Sequence, residues 1–389
     1  MSTMESGSAV DVSERVEEPD RQVWQGVSSL LDQYLHLGSD DRVILLYARS
    51  AREPAAWVTG ELGIRGVPVA LLDLDSLSQK TVTPFSEKVT AASADLGARG
   101  SRLVVLCLEY DIVMPSVWIR QALAPLTGTK IEIFRVVMAG ADFFRQGVTT
   151  SPATLNNINA GLLQRLRSAE RFTVTSSSGS ELDIVLDPER YRWVSSRGIS
   201  REGAFVLLPA GEVATFPARI SGTLVADGAF NSTAFTKLDA RLGDHPVTFE
   251  IEDGVMVDYR CDHPLVSKFV DRFLRVPNAD RVGELGFGTN IGIDRFVSLN
   301  SHLNERHPGV HIGFGQSNQR RGTVHSCDVH VDFIASDCTI EIRNEAPLRS
   351  GDFKDLTGEH PVIEAGVYDE DLDGDCCGLF SAHESTHCQ

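Results

Sequence analysis

Short apolar runs alternate with helical segments in the first half of the chain, and this alternation constrains the fold more than any other feature. Residues 43–48, 67–72, 103–108 and 131–137 have the length and composition of strands that are buried on both faces. Segments with apolar residues at helical spacing separate them. Because strands joined through helices run parallel, the pattern predicts an α/β domain over residues 21–168, a parallel sheet covered by helices.

No glycine-rich phosphate loop follows any of these predicted strands, and both the dinucleotide-binding pattern G-x-G-x-x-G and the P-loop are absent. The first domain therefore has the predicted shape of a nucleotide-binding domain without the corresponding binding chemistry. We expect it to serve as a structural wall, a lid or a dimer surface.

After Glu170 the pattern changes to short strands separated by turns. The turn sequence SSSGS predicts a hairpin between residues 171–175 and 181–186, and further strands are predicted at 204–208, 219–225, 247–251 and 255–260. These elements predict a β-rich α+β domain over residues 169–345 that carries the active site. We expect residues 1–20 to be disordered and residues 346–389 to form an acidic C-terminal tail.

The formal net charge of −18 argues against nucleic acid as a partner, because a phosphate backbone requires a surface rich in Lys and Arg. About half of this excess lies after residue 344, where eleven acids face only Arg349 and Lys354. The sequence has no long apolar run, and it begins with a polar, acidic segment. We therefore expect no membrane partner, no signal peptide and a cytoplasmic location.

His330 and Asp332 form the first element of a candidate metal site. Side chains two residues apart on a strand point to the same face, about 7 Å from each other. An imidazole beside a carboxylate is a suitable pair of ligands for a divalent metal. An H-x-D pair alone also fits an exposed strand that alternates polar residues, so the metal site depends on additional residues.

Three further residues could complete such a site. His311 lies in the segment VHIGFG, Glu284 in GELGFGTN, and Glu212 follows the segment LPAG. Both glutamates occur in apolar surroundings, where a lone carboxylate is costly to bury. Each residue also has a structural alternative, such as a helix cap, a salt bridge, an exposed turn or, for the histidine, a hydrogen-bonded position in the core.

Taken in order, the segments LPAGEV, GELGFGTNIGI, NERHPGVHIGFGQS and VHVDFI resemble the thermophilic aminopeptidase T family. These proteins are metallo-aminopeptidases, also called leucyl aminopeptidases, and the resemblance covers residues 170–342. It implies a homodimer that acts on a peptide or small-molecule substrate, with two divalent ions (Zn, Co or Mn) and a metal-activated water. The implied metal ligands are Glu212, Glu284, His311, His330 and Asp332. Of these, Glu212 and Glu284 are also placed to act in catalysis, as a bridging ligand or as a base.

One position departs from the family pattern. Asn318 stands where the family carries a tyrosine, seven residues after the first histidine. Asparagine can donate a hydrogen bond to an oxyanion but cannot ionise, so Asn318 is predicted to act in catalysis with altered chemistry. His325 and Cys327 also lie near the predicted ligands in sequence, where they either pack incidentally or change the metal.

These differences keep a second enzyme class open. The 2,5-dihydroxypyridine dioxygenases resemble the same family in fold and use one iron(II) ion held by two histidines and an aspartate. His311, His330 and Asp332, or His325 with the H-x-D pair, could supply such a triad for a small (hetero)aromatic substrate. The two glutamates favour the two-metal hydrolase instead. A third interpretation, a non-catalytic binding protein, is disfavoured by the five intact ligands.

Two other groups of residues have weaker functional signals. The tail contains cysteines and histidines whose spacing matches no standard zinc pattern, so a flexible tail is the favoured interpretation (Cys376, Cys377, His383, His387 and Cys388). Glu305 is predicted to orient a ligand. Three arginines near the site in sequence are expected to lie at the surface rather than to bind a substrate carboxylate (Arg306, Arg320 and Arg321).

Overall fold

The computed structural model describes residues 19–74, 82–96, 102–109, 116–126, 128–200, 205–233, 236–320, 322–356, 358 and 367–369. Within these ranges the α-helices are α1 (Arg21–Ser29), α2 (Arg52–Ile64), α3 (Val82–Asp95), α4 (Ser116–Leu123), α5 (Pro152–Arg167), α6 (Pro264–Phe273) and α7 (His302–Arg306). Short π-helical segments cover Leu30–Tyr34 and Phe143–Gly147, and 3-10 helices cover Arg49–Ala51 and Ser350–Asp355.

The described strands form three sheets. Their bounds are β1 (Arg42–Tyr47), β2 (Val69–Asp73), β3 (Arg102–Leu108), β4 (Lys130–Val136), β5 (Arg171–Ser176), β6 (Glu181–Val185), β7 (Trp193–Ser196), β8 (Phe205–Leu208), β9 (Glu212–Thr215), β10 (Arg219–Ala226), β11 (Phe230–Ser232), β12 (Val247–Glu252), β13 (Val255–Arg260), β14 (Val282–Gly288), β15 (Gly309–Gly315), β16 (His330–Ala335), β17 (Cys338–Ile342), β18 (Leu348–Arg349) and β19 (Val367–Asp369).

The first sheet is parallel, with the strand order β2-β1-β3-β4-β8. Alternate residues of β1 belong to different hydrophobic clusters: Val43 and Leu45 pack with α1 and α2, whereas Ile44 and Leu46 pack with residues of α3 and α4. Helices thus cover both faces, as the alternation in the sequence predicts. The chain has the expected α/β region followed by a β-rich region.

The second and third sheets pack face to face. Their orders are β13-β12-β10-β6-β5-β17-β18 and β11-β16-β15-β14-β9-β7-β19. One hydrophobic cluster contains residues of both, and the rings of Phe172 (β5) and Phe287 (β14) lie 6.3 Å apart within it. One face of the third sheet therefore contributes to the core, which leaves its other face for a different use.

One predicted strand belongs to a different sheet from the one expected. Residues 204–208 were predicted to lie in the β-rich domain, but Phe205–Leu208 pairs in parallel with β4 of the first sheet. All four residues of this strand are buried, as in a strand covered on both faces. The pairing partner is about seventy residues earlier, so local sequence does not reveal it. The predicted domain boundaries remain predictions.

None of the described helices is both long enough and apolar enough to cross a membrane. The short strand β19 pairs in parallel with β7 at the edge of the third sheet. The predicted disorder of residues 1–20 falls almost entirely outside the described residues, and so does the proposed cysteine and histidine cluster of the tail.

Candidate metal centre

The predicted ligands lie on the face of the third sheet that points away from the second sheet. Glu284 on β14 is opposite Gly313 on β15, which in turn is opposite Asp332 on β16. His311 and His330 precede Gly313 and Asp332 by two residues on the same strands, so their side chains share this face. Strand pairing therefore brings together residues that are far apart in sequence.

Glu212 reaches the same face from the start of β9. The preceding Gly211 has a φ of +111°, and a Cβ there would lie 2.6 Å from the Cβ of Asn290, so this position requires glycine. The Asn159 amide donates a hydrogen bond of 2.9 Å to the Glu212 carbonyl and fixes the start of the strand. This arrangement explains the glycine of the LPAGEV segment and directs Glu212 towards His311.

Glu212, Glu284 and His311 form one compact group. His311 Nε2 lies 2.9 Å from Glu212 Oε1 and 3.7 Å from Glu284 Oε1. Each of these three residues offers a ligand atom within 4.8 Å of those of the other two, and all three are buried. Among the His, Cys, Asp and Glu side chains of the described residues, these three form the group that meets this distance criterion for a metal ion.

His330 and Asp332 form a second group beside the first. His330 Nε2 lies 3.0 Å from Asp332 Oδ1 and 3.9 Å from Glu284 Oε2. Its other nitrogen, Nδ1, lies 2.6 Å from the carbonyl oxygen of Gln316. A hydrogen bond donated from Nδ1 to a backbone carbonyl is the usual way in which proteins direct the Nε2 of a histidine at a metal. The ring is therefore oriented for a ligand role.

Two glycines leave room for these side chains. A Cβ on Gly286 would lie 1.9 Å from His311 Nε2, and a Cβ on Gly313 would lie 2.6 Å from Cε1 of His330 and 2.8 Å from Asp332 Oδ1. Both glycines stand on the site face, among the ligands. In the GELGFG and HIGFG segments, large side chains therefore face the core, and glycines beside the ligands face the site.

The residues present fit a divalent metal. Both ring nitrogens of His311 are buried: Nδ1 forms no hydrogen bond with any described residue, and Nε2 meets the Glu212 carboxylate as an ion pair rather than in a hydrogen bond of normal geometry. A buried imidazole without such a bond is costly unless another group binds it. Carboxylate and imidazole donors are the ligands of zinc, manganese, cobalt and iron(II).

Burial and neighbouring charges shift the pKa values of the ligands. Burial, with the nearby carboxylates of Glu212 and Asp332, raises the pKa of Glu284 to about 7. Burial alone would lower the pKa of His330, but Asp332 and Glu284 raise it to about 10. The same balance holds for His311, whose pKa lies well above its usual value because of Glu212 and Glu284. In the absence of metal, the histidines thus carry protons that a metal must displace.

Glu305 and Arg306 complete the centre from α7. Arg306 Nη1 lies 2.6 Å from Glu212 Oε1 and 2.8 Å from Glu305 Oε1. Asn231, which is opposite Asp332 in the sheet, donates a hydrogen bond of 2.7 Å to Glu305 Oε2. Burial would raise the pKa of Glu305, but the Arg306 charge keeps it well below its usual range. Glu305 therefore stays ionised.

The prediction of a surface role for Arg306 is wrong, because its side chain is completely buried against Glu212 and Glu305. The sequence signal was the NER segment before His311, which places an acid and a base next to a predicted ligand. Asn231 and Gln316 were also missed. Asn231 reaches the centre through strand pairing from elsewhere in the chain, whereas Gln316 directly follows the His311 strand but contacts His330 through its backbone carbonyl, which no side-chain pattern marks.

Asn318 is buried in the loop after β15. Its carbonyl accepts hydrogen bonds from the Arg192 side chain, and its Oδ1 accepts one of 2.7 Å from Gln319. Its Nδ2 forms no hydrogen bond with any described residue. The same loop supplies the Gln316 carbonyl that binds His330. Asn318 thus keeps a buried donor, and its predicted catalytic role is untested by this geometry.

His325 and Cys327 make other contacts. His325 Nε2 lies 2.8 Å from the carbonyl oxygen of Gly315, and the Cys327 amide donates a hydrogen bond to Gln316 Oε1. Burial lowers the pKa of His325 and raises that of Cys327. Both contacts brace the loop between β15 and β16, which fits the incidental packing considered from the sequence.

Comparisons with known proteins place this geometry in context. Residues 212–343, about a third of the chain, match the family described as crocagin biosynthetic protein CgnE/B. No curated protein matches the chain.

The structure is similar to that of 2,5-dihydroxypyridine dioxygenase from Pseudomonas putida KT2440, with a TM-score of 0.57 and 16% identity over 84% of this chain and 95% of the other. It is also similar to that of AmpT from Thermus thermophilus, with a TM-score of 0.52 and 16% identity over 85% of this chain and 98% of the other. At this identity the likeness is one of fold, so the chain shares a remote fold relationship with both proteins.

Proposed function

We propose that this chain is a metal-dependent hydrolase that removes an N-terminal amino acid from a peptide or cleaves a related small amide. The observation that carries the proposal is the orientation of Glu284. Its Oε1 lies 3.7 Å from Nε2 of His311, while its Oε2 lies 3.9 Å from Nε2 of His330. A carboxylate whose two oxygens face two different histidines is suited to bridge two divalent ions.

The five predicted ligands divide into two sets that share this glutamate. We call Glu212, Glu284 and His311 the first set, and Glu284, His330 and Asp332 the second set. Each set contributes three protein atoms, which leaves positions for water and substrate, as in catalytic sites. Zinc, cobalt or manganese would suit this mixture of carboxylate and imidazole ligands.

When bound, two such ions polarise a scissile carbonyl and lower the pKa of water. The side chains of this protein have separate tasks. Because both oxygens of Glu284 would hold the ions, Glu212, the other predicted catalytic carboxylate, would take the proton of the attacking water and release it to the leaving amine. The buried Nδ2 of Asn318 would donate a hydrogen bond to the oxyanion. The hydrogen bond between His330 and the Gln316 carbonyl keeps the imidazole oriented.

A second candidate is a mononuclear iron(II) dioxygenase that acts on a small (hetero)aromatic substrate. His311, His330 and Asp332 share one face of two neighbouring strands, which suits two histidines and one carboxylate around a single ion. The fold similarity to a dioxygenase is compatible with this candidate. We favour the hydrolase because this triad leaves the buried carboxylates of Glu212 and Glu284 without a role as ligands.

Metal content distinguishes the two candidates. The protein would be purified without chelators and without oxygen, and its ions counted by mass spectrometry. The hydrolase predicts about two zinc, cobalt or manganese ions per chain and release of amino acids from aminoacyl amides. About one iron per chain, with consumption of oxygen on dihydroxylated pyridines, would favour the dioxygenase. A protein that takes up neither metal would contradict both.

Metal affinity is expected to rise with pH, because the ligands are protonated in the metal-free protein. His330, with a pKa of about 10, and His311, whose pKa lies well above its usual value, must each lose a proton on binding near neutral pH, and Glu284, with a pKa of about 7, adds a third below neutrality. Each proton released strengthens binding by about tenfold per pH unit. Calorimetry of zinc binding in two buffers with different ionisation enthalpies counts these protons. Binding without proton release at pH 6 would contradict the assignment of these ligands.

We further propose that the active form is a cytoplasmic homodimer with a peptide or small-molecule substrate. The net charge of −18 supports the expectation that nucleic acid is not a partner. Sedimentation of the purified protein would test the dimer.

A further inference from the structure

Arg306 lies directly against Glu212, a ligand of the first set. Its Nη1 lies 2.6 Å from Glu212 Oε1, and its side chain is completely buried. The same oxygen lies 2.9 Å from His311 Nε2, so the guanidinium adjoins the ligand atoms of the first set. Glu212 belongs to the first set alone, whereas Glu284 belongs to both. A permanent positive charge is thus built into one side of the centre.

We propose that Arg306 makes the two metal positions unequal, so that the second set binds its ion tightly and the first set binds its ion weakly. This inference rests on the proposed two-ion centre. An ion held by Glu212 would share that carboxylate with the guanidinium. Two cations beside one buried carboxylate repel each other strongly, because the surroundings screen them little.

The contacts of the second set differ in the charge that faces them. His330 is held by the neutral carbonyl of Gln316 and by the Asp332 carboxylate. The guanidinium instead lies between two carboxylates, with its Nη1 2.6 Å from Glu212 Oε1 and 2.8 Å from Glu305 Oε1. Glu305 therefore offsets only part of the repulsion at the first set. The two ions therefore bind in two steps, and the affinity of the weaker step determines how activity depends on the concentration of free metal.

Titration of the metal-free, full-length protein with zinc tests this inference, with calorimetry and a competing chelator as the readouts. In the wild type we expect two steps whose dissociation constants differ by at least about tenfold. Arg306→Met, which removes the charge, should tighten the weak step by at least about tenfold and change the tight step by less than about threefold. Arg306→Lys keeps the charge and should retain the wild-type separation.

A matched control is Arg135→Met. Arg135 is another buried arginine, paired with Glu109 at 2.9 Å in the first sheet, so its loss tests the general effect of removing such a residue. It should leave both zinc steps unchanged. Two equal steps in the wild type, or a weak step that Arg306→Met leaves unchanged or weakens, would overturn the inference while leaving the hydrolase proposal intact. A wild type that binds no metal would overturn both.

A second pair of variants keeps the test decisive if Arg306→Met fails to fold. His311→Ala should abolish the weak step and retain the tight one, because His311 belongs to the first set only. His330→Ala should abolish the tight step. Loss of the tight step in His311→Ala would reverse the order of the two sets and refute the role of Arg306.

Discussion

Replacing Glu284 with glutamine is expected to produce a folded protein that has lost its metal ions and its activity. Glutamine has nearly the same shape, but it cannot supply two anionic oxygens to the two histidines that face this carboxylate. Metal content should fall below about half an ion per chain, and turnover should fall at least about 100-fold. Mass spectrometry of the purified variant and an aminoacyl amide assay measure the two effects.

The fold should tolerate this change, because the variant removes a buried charge that burial disfavours. Glu341→Gln is the matched control: it makes the same substitution at an exposed position on β17. Circular dichroism should give the same spectrum for both variants and the wild type. Wild-type metal content in Glu284→Gln would refute the bridging role of this residue.

Replacing Gly286 with alanine is expected to have an effect of similar size, although the residue has no side chain that could take part in chemistry. The added Cβ would lie 1.9 Å from His311 Nε2, so the imidazole must leave its position. The first set would then lose its histidine. We expect at least about a 100-fold loss of activity and loss of one of the two ions.

Gly60→Ala provides the control for this substitution. Gly60 lies in α2, where a Cβ would meet no atom within 4 Å, and alanine favours a helix by about 1 kcal/mol over glycine. This variant should keep its metal and its activity. Metal titration and thermal unfolding of both proteins separate a local displacement of His311 from general unfolding. An active Gly286→Ala protein with two ions would show that His311 is not a ligand.

The parts of the fold that follow from local sequence were predicted. Strands β1 to β4 were found because an apolar run and the helix after it are contiguous in the chain. His330 and Asp332 could be placed on one face because strand geometry alternates with a period of two. The strand Phe205–Leu208 was assigned to the wrong sheet, because its pairing with β4 depends on chain folding over long range.

The surroundings of the candidate ligands were less accessible from the sequence. Arginine usually lies at the surface, and the burial of Arg306 arises only when α7 packs against β14 and brings this side chain to Glu212. Asn231 reaches Glu305 because β11 pairs with β16, about a hundred residues later. Such polar contacts depend on tertiary structure, and a single sequence carries no periodic signal for them.

The two faces of the third sheet restrict sequence change in different ways, one through packing of the core and the other through the geometry of the site. On β14 and β15, Leu285, Phe287, Ile312 and Phe314 fill the core, while the intervening residues carry the ligands and the glycines that make room for them. A point substitution of a ligand on the site face can therefore alter the chemistry without changing the side chains that fill the core. An insertion or deletion of one residue would turn the core side chains towards the site and the ligands towards the core. Evolution of this scaffold towards new reactions should therefore proceed by substitution within these strands, with changes in length confined to the loops that join them.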